Sequence, residues 1–345
     1  MTFKDPFLAT CIGSFPHLEE GEILPLIRRH FPNIPCLPQL PRRSFLEGMV
    51  AQYSEGFPAL RVDEKERRLW MDTSSGVEQE VERFYHSVEE EDLDFFKISE
   101  EYASGLRLLK DLAREGWHDE IKYVKAQVTG PITFGLSLTD QERKPIFYDS
   151  NWREILLHHL SFKARWLEKT LNALFPGIPT IIFFDEPGLS AFGSAFSGLH
   201  QEDVILSLNT CFASIRGLTG VHCCGNTDWS LLLSTKLDIL SFDAYGYFDN
   251  LSLYPKELGA FLERGGILAW GMVPTNEDVQ REDARTLVKR FEQGVEILSK
   301  EGIEPELLKR AILTPSCGMG SLSIPFTEKV CTLTSELSKR LREKE

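Results

Sequence analysis

From residue 120 onward, short runs of β-branched and aromatic residues alternate with longer stretches that have the apolar spacing of amphipathic helices. This alternation is typical of βαβ units, in which a helix crosses between neighbouring parallel strands. The clearest predicted helices of this region span residues 151–174 and 282–300. The pattern therefore predicts an α/β fold built on a parallel sheet. The predicted strands of this region span residues 123–128, 180–184, 220–224, 238–243, 266–272 and 311–315.

Two further strands are predicted in the amino-terminal third, at residues 7–12 and 34–37, with a helix over residues 19–31 between them. Eight strands with interleaved helices favour a single (β/α)8 barrel, a TIM barrel, over an open sheet. Residues 40–120 have no strand pattern and carry many charges, so we predict a helical insertion between strands two and three. We expect one domain over residues 1–345, since no linker-like tract divides the chain.

The charge balance limits the partners of the chain. It contains 38 Lys and Arg against 52 Asp and Glu, which gives a formal net charge of −14. Nucleic-acid-binding proteins concentrate basic residues on one face, so a nucleic-acid partner is not expected. No run reaches the roughly 18 apolar residues that a membrane span needs, and the first residues do not resemble a signal peptide. We therefore expect no membrane partner and a cytoplasmic protein.

The seven cysteines are odd in number and lack the spacing of a secreted disulfide scaffold. A chain of this size has its own core and does not need disulfides, so we expect thiols, some of them metal ligands. Cys223 is predicted to be a packing residue. Four further thiols are predicted in or near the core: Cys11, Cys36, Cys211 and Cys331.

The residues at which the predicted strands end carry most of the reactive side chains. The active site of a TIM barrel lies at this carboxyl edge. His222 and Cys224 are two residues apart on one strand, so both point to the same side. Cys317 follows the last strand and can face them, and an imidazole with two thiolates is a donor set that zinc prefers. Asp243, at the end of the next strand, could supply a fourth, oxygen ligand.

Two other strand ends offer groups for substrate binding. Asp185 and Glu186 emerge where a buried strand ends, and they could bind an ammonium group, act as acid and base, or stabilise a helix N-terminus. Ile12-Gly13-Ser14 either brings backbone and a hydroxyl close to a ligand, since glycine lacks a Cβ, or forms a plain turn. Six other histidines lack partners at ligand spacing and are predicted on the surface: His17, His86, His118, His158, His159 and His200.

These motifs together resemble the carboxy-terminal catalytic barrel of cobalamin-independent methionine synthase. The resemblance spans nearly the whole chain, and the family belongs to a superfamily that also contains uroporphyrinogen decarboxylase and corrinoid-dependent thiol methyltransferases. It rests on the order and spacing of five segments, which are Ile12-Gly13-Ser14-Phe15-Pro16, Thr129-Gly130-Pro131-Ile132-Thr133, Asp185-Glu186-Pro187, His222-Cys223-Cys224 and Cys317-Gly318.

The resemblance implies a catalytic zinc ion held by His222, Cys224 and Cys317. A family glutamate that completes the ligand set corresponds to Asp243 here, which is one methylene shorter. Zinc converts a bound thiol, which is mostly protonated at neutral pH when free, into a thiolate nucleophile. The resemblance therefore implies that His222 and Cys224 take part in catalysis as ligands of the zinc ion that binds the reacting sulfur.

The resemblance also implies an amino-acid thiol, homocysteine, as the methyl acceptor and methionine as the product. Ser14, with the backbone of Ile12 and Gly13, and Asp185 would hold the amino and carboxyl groups of this substrate. Glu186, the second carboxylate at the same strand end, is included among the predicted substrate-binding residues.

Two departures from the family pattern bear on the methyl donor. Members that use methyl-folate carry a Trp soon after the Thr-Gly-Pro motif and a proton-donating His after strand seven, whereas this chain has neither in residues 134–137 and 269–274. The nitrogen of methyl-folate must be protonated to leave, but methylcobalamin leaves as cob(I)alamin without a proton. At 345 residues, the chain is also too short for the amino-terminal barrel of the folate enzymes. It resembles the short core methionine synthases of anaerobes and archaea, and we predict methylcobalamin or a methylated corrinoid protein as the donor.

Three other functions remain open. The acceptor could be another small thiol such as coenzyme M, although Asp185 and Ser14 favour an amino acid. A lyase similar to uroporphyrinogen decarboxylase would use no metal, which the predicted zinc ligands disfavour. The third alternative is a corrinoid-binding or metal-binding carrier protein without turnover.

Overall fold

The structure is a computed structural model that describes residues 3, 5–74, 76–116, 119–192 and 198–344. The strands in this part of the chain are β1 (Leu8–Ala9), β2 (Leu60–Asp63), β3 (Arg68–Met71), β4 (Val124–Thr129), β5 (Thr180–Asp185), β6 (Leu218–Cys223), β7 (Ile239–Phe242), β8 (Ile267–Val273) and β9 (Ala311–Pro315). Seven of them form a curled parallel sheet in the order β1-β9-β8-β7-β6-β5-β4. This sheet confirms the predicted α/β class.

Helices connect the strands of the parallel sheet, and the predicted helices at 151–174 and 282–300 correspond to two of them. No helix within the described ranges combines the length and apolarity needed to cross a bilayer. Single 3₁₀ turns span Glu20–Glu22, Phe45–Glu47, Ile146–Tyr148, Pro187–Ala191 and Glu277–Gln280. The α-helices are α1 (Ile23–His30), α2 (Met49–Gln52), α3 (Val77–Glu89), α4 (Gly105–Arg114), α5 (Pro131–Ser137), α6 (Ser150–Leu174), α7 (Gln201–Ala213), α8 (Trp229–Ser234), α9 (Ala244–Leu251), α10 (Pro255–Glu263), α11 (Ala284–Lys300), α12 (Pro305–Lys309) and α13 (Ile324–Arg342).

The register of the parallel sheet brings residues at the strand ends into one row. Thr129 on β4 pairs with Asp185 on β5, and Asp185 in turn pairs with His222 on β6. His222 then pairs with Ser241 on β7. Apolar side chains that precede this row on β5 to β9 pack into an interior cluster, while those of the opposite face pack against the helices. The polar row therefore lies at the carboxyl edge of the sheet, next to the apolar interior cluster.

The segment predicted as a strand at residues 34–37 is not a strand of the parallel sheet. It contacts its neighbours through two isolated parallel bridges, Cys36 with Lys125 of β4 and Ser14 with Gln39. Prolines interrupt this segment, and a proline has no N–H to donate to a ladder. Within the described residues the parallel sheet therefore has seven strands, and an eighth strand stays a prediction.

Residues 40–120 contain α2, α3 and α4 and also a β-hairpin. β2 and β3 pair in antiparallel fashion, from Leu60 with Met71 to Asp63 with Arg68. Most residues of both strands are partly or fully exposed, so the hairpin does not need the apolar alternation by which a half-buried strand is recognised. The prediction that this segment contains no strand is wrong for that reason.

Buried polar side chains of α6 hold the 40–120 segment in place. The Nε2 atom of His159 lies 2.7 Å from the carbonyl oxygen of Tyr53. The Nζ atom of Lys163 donates to the carbonyl oxygens of Phe96 and Lys97, at 3.4 and 3.3 Å. His159 and Lys163 are both fully buried, so the prediction of a surface location for His159 is wrong.

The other histidines predicted on the surface differ in their burial. His17 is also buried, which contradicts the prediction, and His158 is half-buried. His86 and His200 are exposed. His118 lies outside the described residues.

Cys11 and Cys36 form a disulfide, so the prediction that both are thiols is wrong. They are 25 residues apart in sequence, but their Cα atoms are 6.6 Å apart because the chain after β1 runs beside the segment that contains Cys36. Sequence spacing alone does not reveal such a contact. Cys211, Cys223 and Cys331 are buried free thiols, as predicted.

The substitution Lys163→Met is expected to change how stability depends on pH. Burial lowers the pKa of Lys163 to about 7 from about 10.5, so between these values the unfolded chain binds more protons and stability rises with pH. The variant lacks this dependence. Relative to the wild type, its free energy of unfolding should be highest near pH 7, where removal of the charge adds at most about 5 kcal/mol, at about 1.4 kcal/mol for each pKa unit. Loss of the two hydrogen bonds from Lys163 subtracts from this gain at every pH.

The measurement is denaturant-induced unfolding at several pH values between 7 and 10. The gap between variant and wild type should shrink as the pH rises. Lys169→Met is the matched control, because Lys169 is exposed on the same helix. A gap that stays constant with pH for Lys163→Met would contradict the prediction.

Candidate metal and substrate site

Three side chains with soft or nitrogen donors meet at the carboxyl edge of the sheet. The candidate ligand atoms of His222, Cys224 and Cys317 all lie within 4.8 Å of one another. His222 and Cys224 come from the end of β6, whereas Cys317 belongs to the loop that follows β9. The fold therefore brings together three of the residues that the sequence analysis selected as metal ligands.

A neighbouring hydroxyl orients the imidazole of this group. The Nδ1 atom of His222 lies 2.9 Å from Oγ of Ser241 on the adjacent strand. The Nε2 atom is buried and has no hydrogen-bond partner among the described residues. A histidine that donates from Nδ1 presents the lone pair of Nε2, which is the usual arrangement of a metal-binding imidazole. One imidazole nitrogen and two thiolates fit zinc, which usually takes four ligands.

The two thiols of the group affect each other strongly. The hydrogen bond from Cys317 lowers the pKa of Cys224 to about 4. The same contact and burial raise the pKa of Cys317. The pair therefore has thiolate character on Cys224, and thiolates are the form of cysteine that binds metals.

Asp243, predicted as a fourth ligand, lies beside this group but has another partner. Its Oδ1 atom accepts a hydrogen bond of 2.7 Å from the N–H of Gly246 and caps the N-terminus of α9. Burial and the charge of Cys224 raise the pKa of Asp243, whereas the charge of His222 lowers it. Its role as a metal ligand stays a prediction.

Asp185 provides a buried carboxylate with one unpaired oxygen. Its Oδ1 atom has no hydrogen-bond partner among the described residues. Burial raises the pKa of Asp185 to about 6, while the charges of His222 and Lys125 oppose that increase. A buried charge without a partner is unfavourable, so an incoming ammonium group would relieve the cost at this position.

Lys125, which the sequence analysis did not select, supplies a second compensating charge beside His222. Its side chain is buried on β4, and its Nζ atom donates to the carbonyl oxygen of Ile12 at 2.5 Å and lies 5.0 Å from the ring centre of Phe183. Burial lowers the pKa of Lys125 to about 8, which leaves the amine cationic at neutral pH. The cation therefore supports both the Asp185 carboxylate and the backbone of Ile12.

Glu186 is hydrogen-bonded through its carboxylate to the start of α5. Its carboxylate accepts hydrogen bonds from the N–H groups of Ile132 and Thr133, at 2.9 and 2.8 Å, and from the Thr133 hydroxyl at 2.6 Å. Burial raises its pKa to about 7 although these bonds oppose the change. A Cβ at Gly130 would lie 2.2 Å from this carboxyl group. The structure thus gives Glu186 the role of capping α5, and its role in substrate binding stays a prediction.

The Ile12-Gly13-Ser14 segment packs closely against the opposite loop. Gly13 has φ +147°, and a Cβ there would lie 2.4 Å from Nε2 of Gln127, so only glycine fits. Oγ of Ser14 accepts a hydrogen bond of 3.3 Å from the N–H of Gly320, and the Ser14 carbonyl accepts one of 3.0 Å from Met319. Ser14 therefore lies against the loop that carries the third candidate metal ligand.

A cavity of about 380 Å³ joins these groups, which is a suitable size for a small amino acid. It is lined by Ile12, Ser14, Gln39, Pro41, Arg42, Met49, Asp185, Pro187, His222, Cys224, Cys317, Gly318, Gly320 and Ser321.

The sequence analysis missed several residues in or beside this cavity. Gln39 and Arg42 follow the segment predicted as the second strand, so the rule of reading each strand end would have found them. Met49 lies in the 40–120 segment, away from any predicted strand end, so that rule would not have found it. Ser241 and Lys125 point into the site only because of the strand register, which the sequence does not reveal.

Ser241→Ala is expected to weaken zinc binding by about 10- to 100-fold, because loss of the partner of a ligating histidine typically has this effect. The measurement is competition for zinc with a chromogenic chelator. Ser338→Ala is the matched control, since Ser338 is also buried but donates to the carbonyl of Phe7 in another part of the fold. Equal zinc affinities for Ser241→Ala and the wild type would show that the hydroxyl does not orient the imidazole.

Gly130→Ala is expected to destabilise the protein by about 1–3 kcal/mol, as overpacking of a tight site does. The added methyl group would meet the Glu186 carboxyl group, which three hydrogen bonds hold in place. Denaturant-induced unfolding measures the change. Gly21→Ala is the control, because a Cβ at Gly21 meets nothing within 4 Å. If both variants unfolded alike, the proposed packing of Glu186 against Gly130 would be wrong.

No protein-family model matches the sequence, and neither does any curated protein. Among solved structures, the chain is similar to a B12-independent methionine synthase from Shewanella sp. W3-18-1 in complex with selenomethionine. That similarity has 18% identity, a TM-score of 0.47, and coverage of 69% of this chain and 67% of the other.

The chain is also similar to a putative vitamin-B12-independent methionine synthase from Listeria monocytogenes. Here the TM-score is 0.55 and the identity 13%, with 98% of each chain covered. This second similarity shows that the two proteins share a fold over nearly their entire lengths.

Proposed function

We propose that the chain is a zinc-dependent methyltransferase that methylates the thiol of homocysteine to give methionine. The observation that carries the proposal is the meeting of His222, Cys224 and Cys317 in one cavity with the unpaired carboxylate of Asp185. A site for a soft metal beside a site for an ammonium group suits a small amino-acid thiol. The fold shared with the Listeria protein, which is described as a putative methionine synthase, supports the same reaction.

His222 Nε2 and the sulfur atoms of Cys224 and Cys317 would hold the zinc ion. Bound zinc would lower the pKa of the acceptor thiol so that its sulfur is a thiolate at neutral pH. Ser241 keeps the imidazole in the ligating orientation. Asp243 could complete the ligand set through Oδ2 while its Oδ1 atom still accepts the hydrogen bond from Gly246 at the start of α9.

The remaining residues of the site would place the amino-acid part of the acceptor. Asp185 would pair with the ammonium group through its unpaired oxygen. Ser14, with the backbone of Ile12 and Gly13, would contact the amino and carboxyl groups. Lys125 holds the Ile12 carbonyl in position and keeps a compensating positive charge near Asp185.

The proposed methyl donor is methylcobalamin or a methylated corrinoid protein. The acceptor sulfur supplies an electron pair to a new bond with the methyl carbon, and the bond between that carbon and the donor breaks with its pair leaving on the donor. In the part of the chain that the structure describes, His222 is the only imidazole lining the cavity, and it already faces Ser241 and the two thiols. A donor that needs no protonation suits this site better than methyl-folate.

We also propose that the sheet closes as an eight-stranded TIM barrel in one domain over residues 1–345. The segment containing Cys36 and Gln39 would take the place of the eighth strand, since it forms parallel bridges to Lys125 on one side and Ser14 on the other. Residues 40–120 would then be an insertion that follows this strand.

The decisive experiment is an anaerobic assay of methionine formation by the zinc-loaded protein with homocysteine. Product is expected with methylcobalamin and not with methyl-tetrahydrofolate. Product from the folate alone would overturn the proposed donor. Faster methylation of mercaptoethanesulfonate than of homocysteine would overturn the proposed acceptor.

Cys317→Ala should lose zinc affinity by more than the roughly 100-fold that follows loss of a ligand's hydrogen-bond partner, and methionine formation should fall with it. Cys211→Ala, which removes a buried thiol from α7, is the control and should retain both properties. Full zinc content and full activity in Cys317→Ala would show that the proposed metal site is wrong.

A further inference from the structure

One guanidinium group lies at the mouth of the cavity, and the proposed function does not use it. Arg42 lines the cavity and is exposed. Its Nη2 atom donates to the carbonyl oxygen of Ser321 at 2.6 Å. This bond spans the mouth, from the segment after Gln39 to the loop after β9. Among the described residues, no carboxylate forms an ion pair with Arg42, so its charge is available to a ligand.

Arg42 lies on the same rim of the cavity as Ser14. Both residues contact the loop after β9, Arg42 through Ser321 and Ser14 through Gly320. The ring of Pro41 also approaches Gly320, since a Cβ there would lie 2.9 Å from Cγ of Pro41. The rim therefore combines a cation and a hydroxyl, which are groups that bind a carboxylate.

The rest of the cavity would repel a carboxylate. Asp185 lines the cavity at the strand ends and presents a buried carboxyl oxygen that has no hydrogen-bond donor among the described residues. The other nearby cation, Lys125, is buried and already donates to the carbonyl of Ile12. An amino-acid ligand thus meets negative charge on one side, where its ammonium group fits, and the positive charge of Arg42 on the other.

We propose that Arg42 binds the α-carboxylate of the acceptor, together with the Ser14 hydroxyl, and so selects thiols that carry a carboxylate. This inference rests on the proposed function, because it takes an amino-acid thiol as the ligand. A guanidinium presents several N–H groups in a plane, so the donors not used by Ser321 can form paired hydrogen bonds with a carboxylate. Arg42 is a specificity-determining residue in this arrangement, while the metal site binds the sulfur.

The test combines a change in the protein with the matching change in the ligand. The two ligands are homocysteine and 3-aminopropane-1-thiol, which is homocysteine without its carboxylate. Calorimetry measures their binding to the zinc-loaded wild type and to Arg42→Met. The wild type should bind homocysteine more tightly, and Arg42→Met should weaken homocysteine binding by about 10- to 100-fold, the range expected for a charged hydrogen bond. Binding of the aminothiol should not change.

Two further variants sharpen the result. Arg42→Lys keeps the charge without the planar donors, so it should restore only part of the affinity for homocysteine. Arg114→Met removes an exposed arginine of α4 that pairs with Asp111, and it should change neither affinity. In the methyl transfer assay, Arg42→Met should raise KM for homocysteine and leave kcat nearly unchanged.

Equal weakening of both ligands by Arg42→Met would overturn the proposal, because it would indicate a general disturbance of the cavity mouth. Wild-type protein that binds both thiols equally well would overturn it too. The proposed function is tested separately, by product formation and not by ligand binding. If carboxylate-dependent binding is found but no methyl donor gives product, the role of Arg42 stands and the proposed methyl transfer fails.

Discussion

The candidate site depends on the parallel register of β5, β6 and β7. This register sets Asp185, His222 and Ser241 side by side on three neighbouring strands. The hydroxyl of Ser241 then turns the imidazole so that Nε2 faces the sulfur atoms of Cys224 and Cys317. A shift of one residue in either pairing would reverse which side chains point into the cavity. Hydrogen bonds between backbones thus determine which donors can meet.

Asp185, in the same row of residues, places a negative charge inside the fold that needs a positive charge nearby. Asp185 is buried beside thiols, and isolated buried charges are costly. Lys125 supplies a positive charge from the next strand, and its bond to Ile12 also links this balance to the backbone of the proposed substrate site. Arg42 adds a second cation at the mouth. The cavity is therefore polarised from mouth to strand ends, which suits a ligand that has charges of both signs.

Much of the parallel sheet could be predicted because buried strands leave apolar runs and helices leave a regular period. The alternation of side chains along β6 was enough to pair His222 with Cys224. Other features depend on contacts that no local pattern records. The prolines near Cys36 stop a ladder that the apolar residues suggest, and the exposed hairpin of β2 and β3 needs no apolar face. His159 is polar by type but is buried because Tyr53 offers it a carbonyl partner. Asp243 also caps the helix that follows it, a contact that its position at a strand end does not reveal.

The hydrogen bonds that join Glu186 to the start of α5 bear on how proteins that carry this motif are recognised. Asp185 and Glu186 are adjacent in sequence, yet one faces the cavity and the other closes a joint between a strand and a helix that also requires Gly130. The joint involves no residue that lines the cavity, so its contribution to stability does not depend on the chemistry of the site. Gly130 and Glu186 are therefore residues of the architecture, whereas Asp185 lines the cavity and is the residue of the three that the proposed chemistry needs. A motif search that weights all three equally would select for the joint more strongly than for the proposed site.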